Sequence, residues 1–136
     1  MMLTQTDIDE AMIERLVREF YARARRDTLI GPVFEARVAD WDLHLSEIAA
    51  FWSSLALRTG RYSGRPMAKH LPLPIDAEHF DRWLMLFEQT ANSLCPPRAA
   101  AFFIDRARRI AQSFEFGLAG AHGVLLRTGE RYRQAS

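Results

Sequence analysis

Cysteine is almost missing: Cys95 is the single thiol in 136 residues. One thiol excludes an internal disulfide framework and any cysteine-based zinc cluster. Lysine is as scarce, with Lys69 alone among 18 basic residues. Charge of one sign is lacking too, because 17 acidic residues leave a net charge of +1. No Lys/Arg block exceeds two in a row, so the basic footprint expected of a nucleic-acid binder is not evident. Low net charge with 49% apolar residues argues against intrinsic disorder. No apolar run approaches the ~18 residues of a membrane span. Met1 to Glu10 is acidic without an apolar run, unlike a signal peptide. These absences leave a cytoplasmic single domain with no nucleic-acid and no membrane partner. What is abundant is the aromatic side chain: nine Phe, three Trp and three Tyr, many on stretches that also carry one of four His.

The apolar spacing predicts an all-α chain. Ile13, Leu16, Val17, Phe20, Tyr21 and Ala24 mark one face of a helix over 7–26. Thr6 is its expected N-cap, followed by an acidic first turn. Gly31-Pro32 breaks it, and Val33–Val38 reads as a short helical turn. A helix over 40–58 carries Trp41, His44, Leu45, Ile48, Phe51, Trp52 and Leu55 on one broad face. Residues 59–75 are the least regular, with Pro66 suited to open a single turn that carries His70. Asp76 caps a helix over 77–94, with Phe80, Trp83, Leu84 and Phe87 inward. A last helix over 98–118 turns Phe103, Ala107, Ile110 and Phe114 inward. The expected organisation is one domain over 1–120 and a loose C-terminal extension over 121–136.

Four histidines need a role. His44 lies on an apolar helical face, where an ordinary core histidine bonded to a carbonyl is the simpler reading. His70 sits in a proline-restricted segment; His79 follows Glu78 in a first turn and is expected to face solvent; His122 lies in the tail. His44 and His70 together, 26 residues apart, are placed to approach a planar cofactor from opposite sides. Imidazole is a common haem ligand. Zinc fits less well, because nothing supplies a third and fourth ligand at usual spacing.

Four stretches, in order, resemble group III truncated haemoglobins. They are Phe20-Tyr21 with Asp27 and Leu29-Ile30-Gly31-Pro32-Val33-Phe34; Trp41-x-x-His44-Leu45 leading to Phe51-Trp52; Tyr62-Ser63-Gly64-Arg65-Pro66-Met67-Ala68-Lys69-His70; and His79-Phe80-x-x-Trp83-Leu84-x-Leu86-Phe87-Glu88. Together they span about residues 8–118. The resemblance implies a 2-on-2 helical sandwich around haem b (iron protoporphyrin IX). It implies His70 as the proximal iron ligand, and Tyr21, His44 and Trp83 as the distal set around a bound O₂, NO or CO. Phe20, Phe34, Ile48, Phe51, Trp52 and Phe87 would line the haem cavity, and Lys69 would serve a propionate. For these aromatics, plain helical core is an equal reading. NO dioxygenation or O₂ and peroxide chemistry would require an external reductase, since no flavin or nicotinamide motif is present. The alternative is a haem-free helical module that binds a partner protein or small ligand.

Overall fold

The computed structural model describes residues 7–62, 64 and 74–133. Five helices follow one another: α1 (Glu10–Arg26), α2 (Gly31–Arg37), α3 (Trp41–Leu57), α4 (Ala77–Leu94) and α5 (Pro97–Ala121). α1 packs on α2, α3 and α4, and α4 packs on α5. One pair of long helices, α1 and α3, thus lies over a second pair, α4 and α5, as a helical sandwich. No described helix is long and apolar enough to cross a membrane.

Local chemistry sets the helix ends. Asp9, rather than Thr6, caps α1: its carboxylate accepts from the Met12 N–H at 2.8 Å. Thr6 lies outside the described residues. Asp40 caps α3 in the same way through the Leu43 N–H at 3.1 Å. Such caps satisfy donors that a helix start leaves without intrahelical partners.

The Gly31-Pro32 break opens α2, with proline in its first turn. Glycine is needed there by contact: a Cβ on Gly31 would stand 2.6 Å from the Arg25 carbonyl oxygen. The start of α2 therefore rests directly on the backbone at the end of α1. Asp27 completes this corner. Its carboxylate accepts from the N–H groups of Leu29 and Ile30, at 2.9 and 3.0 Å, and from Arg82 of α4 at 2.7 Å.

The main core joins α1 to the middle of α3, α4 and α5. Phe20, Phe87, Phe103, Ile13 and Leu16 are its largest fully buried members. Each such side chain contributes roughly 1.5–3 kcal/mol by leaving water. A second cluster brings Ile75 and Phe80 against Ala111, Leu118, Ala119 and Tyr132.

The segment after α5 folds back onto the sandwich. Tyr132 is buried, and its carbonyl accepts from the Ala77 N–H at 2.8 Å. Glu115, buried on α5, accepts from the Tyr132 N–H at 2.8 Å and from Arg131. Arg131 also reaches Asp81 of α4 at 2.7 Å. His122, expected in a frayed end, has its Nδ1 2.6 Å from the Tyr132 hydroxyl.

Candidate functional site

Where α1 and α3 face α4 and α5, the helices leave a cavity of about 490 Å³, the size of a small-molecule site. Most of its wall is apolar, including Ile30, Val33, Phe34, Ile48, Phe51, Trp52, Phe80 and Ile110. The polar groups are few: Tyr21, His44, Tyr62, His79 and Trp83, with Arg37, Asp40 and Glu47. Among the described residues, no three His, Cys, Asp or Glu side chains gather to hold a metal ion.

Tyr21 projects from the buried face of α1. Its ring meets Phe34 edge-on at 5.4 Å and His44 at 5.4 Å and 88°. Burial pushes its phenol well above the usual range, so the hydroxyl keeps its hydrogen as a donor. His44 stands in the first turns of α3, half-buried between the rings of Tyr21 and Trp41. Trp41 is in turn covered by the Arg25 guanidinium, 4.2 Å from its ring centre. Its indole Nε1 is buried without an acceptor among the described residues.

Trp83 is held by a column of rings. It stacks on Phe87 at 5.4 Å and 15°, and Phe87 stacks on Trp52 at 5.5 Å and 16°. Phe20 closes the side of the column, edge-on to Trp83 at 5.7 Å. Both tryptophans line the cavity. Phe20 and Phe87 stand behind it, in the core.

The structure thus brings Tyr21, His44, Trp83, Phe34, Ile48, Phe51 and Trp52 to one cavity. Lys69 and His70 lie outside the described residues. His79 corrects an expectation. It is half-buried and lines the cavity, rather than pointing into solvent. It occupies the third position of α4, where its Nδ1 accepts from the Asp76 N–H at 3.2 Å, while the Asp76 carboxylate caps the helix start. The available signals are the i, i+4 spacing of His79 and Trp83 and the Asp76-x-x-His79 spacing of a capping box. The α5 side of the wall is Ile110, Ala111 and Phe114; Ile110 and Phe114, expected inward, meet the cavity.

No protein-family model matches the chain. Group 3 truncated hemoglobin ctb of Campylobacter jejuni is 34% identical over 113 residues, covering 79% of this chain and 89% of that one. The crystal structure of group III truncated hemoglobin from Campylobacter jejuni superposes with a TM-score of 0.77 at 31% identity, over 95% of this chain and 99% of that one. The hemoglobin of the thermophilic phototrophic bacterium Chloroflexus aurantiacus is 25% identical with a TM-score of 0.64, over 77% and 89% of the two chains. With more than 30% of the sequence shared across nearly the whole of a relative, on a common helical frame, the chain belongs to the group III truncated haemoglobins.

Proposed function

We propose that the chain binds haem b in the cavity between the two helix pairs and uses it to take up O₂ and other diatomic ligands. One observation carries the reading: in a member of this family, Tyr21, His44 and Trp83 converge on a single, mostly apolar cavity. The wall suits the group. Haem is a flat apolar body that carries its own chelated metal, so it needs apolar faces and few protein ligands. Bound haem supplies an iron that accepts small ligands.

The chain's own groups then act on what is bound. Tyr21 Oη and Trp83 Nε1 each hold a hydrogen toward an acceptor, and indole can only donate. His44 brings a third ring to the same cavity. Such donors, in a cavity walled by Phe34, Ile48 and Phe51, hold a ligand that draws negative charge and slow its escape. That arrangement favours retention or chemistry on O₂, NO or peroxide over simple delivery. Electrons for turnover come from a separate reductase.

His70 is the residue that would hold the haem iron. The described imidazole on the α4 wall, His79, has its Nδ1 engaged as an acceptor by the Asp76 N–H. Its Nε2 then carries the proton and has no lone pair for iron. The purified protein is expected to show a Soret band that shifts with CO and with NO. His70→Ala should lose the band or its normal position, and His79→Ala should keep it. A folded wild-type protein that takes up no haem would end this reading in favour of a haem-free binding module.

A further inference from the structure

We propose that His79 binds a carboxylate of the cofactor, through Nε2–H, and so orients the porphyrin edge at the start of α4. The inference rests on the haem reading above. Two hydrogens compete for attention at this imidazole. Nδ1 lies 3.2 Å from the Asp76 backbone nitrogen and 3.3 Å from the Asp76 carboxylate. The backbone N–H always carries its hydrogen, and it is directed at Nδ1. Nδ1 therefore acts as the acceptor, and the ring hydrogen resides on Nε2. A second proton on the ring would leave Nε2–H in place. The cavity-facing imidazole is a donor in either charge state.

Position selects the acceptor. His79 and Trp83 are one turn apart on the same face of α4, and both line the cavity. Trp83 is packed into the ring column of the core. His79 stands in the first turn of α4 on the same wall, with its side chain 18% exposed. Along α4 the wall thus runs from the ring column at Trp83 to a fixed donor at His79 that water also reaches. A planar molecule with an apolar body and carboxylates on one edge matches that gradient when its carboxylates lie by His79. The capping contact holds the imidazole ring in place, so the donor is oriented before anything binds. Among the described α4 residues on this wall, Phe80 is apolar and Trp83 is held in the ring column.

The test is the rate of haem loss to an excess of a haem-scavenging apoprotein. Two porphyrins are compared in each protein: iron protoporphyrin IX and its dimethyl ester. His79→Glu keeps a capping acceptor at the third helical position and removes the donor. His79→Gln keeps both an acceptor and a donor. His79→Glu should release iron protoporphyrin IX at least about tenfold faster than wild type, through the lost hydrogen bond and the added like charge. His79→Ala, which adds no charge, should also release it faster; His79→Ala as slow as wild type overturns the assignment. His79→Gln should fall near wild type. With the dimethyl ester the four proteins should release at similar rates. Equal release of the free acid by wild type and His79→Glu overturns the assignment. So does His79→Gln as fast as His79→Glu, or an unchanged ratio with the ester. Those results leave haem binding intact; absence of a Soret band in reconstituted wild type overturns both readings.

Discussion

Tyr21 and Trp83 reach the same cavity from opposite helix pairs, and each is held by rings rather than by hydrogen bonds. Tyr21 lies among Phe20, Phe34, Trp41 and His44. Trp83 lies on Phe87 and against Phe20. Their polar atoms are therefore aimed by packing, and a Phe replacement keeps much of that packing while removing the donor. Tyr21→Phe and Trp83→Phe should each speed O₂ dissociation, by roughly 10- to 100-fold where the acceptor carries charge. Stopped-flow dissociation measures this, and unchanged rates in both variants would discard the hydrogen-bond account. The residue scale is also where sequence reading was sharpest and weakest. The apolar phases of Tyr21 and Trp83 turn both inward, and both line the cavity. His79 is expected in solvent only when set against its neighbour Phe80; it stands one turn before Trp83 on the same helical face, and both line the cavity.

At the scale of elements, the sandwich is held at its corners by buried or half-buried carboxylates. Asp27 ties the end of α1 to α4. Burial alone would raise its carboxyl, but the Ile30 N–H, Arg82 and the Leu29 N–H outweigh burial and hold it below the usual range. A folded value below the unfolded one of about 3.9 stabilises the fold above that pH, and the gain is lost as pH falls through the folded value. Asp27→Asn should therefore cost about 1–2 kcal/mol at neutral pH and unfold with a shallower dependence on pH below about 4. Denaturant melts at stepped pH test both parts.

Glu115 holds the other corner, where Arg131 and the Tyr132 N–H dock the C-terminal segment on α5. Arg131→Leu leaves a buried carboxylate short of its charged partner and should cost about 2 kcal/mol. A thermal melt indistinguishable from wild type would show that the clamp contributes nothing. Neither corner was legible beforehand. Both join residues far apart in the chain, Asp27 with Arg82 and Glu115 with Arg131, and no local pattern names such pairs. The helices were legible because apolar phase and capping residues repeat locally. Even there, α5 runs to Ala121, beyond the expected end near 118.

The whole molecule is a sandwich whose centre is partly a cavity. Its aromatic surplus divides accordingly. Phe20, Phe87 and Phe103 fill the core, while Phe34, Phe51, Phe80 and Phe114 face the cavity. Apolar walls around about 490 Å³ gain contacts only when something fills them. Haem binding to the folded state alone should raise the melting temperature, by an amount that grows with free haem above its dissociation constant. Calorimetry of the protein before and after haem extraction tests this, and equal melting temperatures would contradict it. Helical spacing alone does not make this division between core and wall. Helical periodicity marks a side chain as inward and says nothing about whether it meets another helix or a cavity.

The ring column has an optical consequence. All three tryptophans belong to this region: Trp52 and Trp83 line the cavity, and Trp41 abuts Tyr21 and His44. Indole emission overlaps haem absorption, so energy absorbed by any of them would pass to a porphyrin in the cavity instead of being emitted. The chain thus carries its own occupancy gauge, dark when filled and fluorescent when empty, and needs no attached dye to report the state of its site.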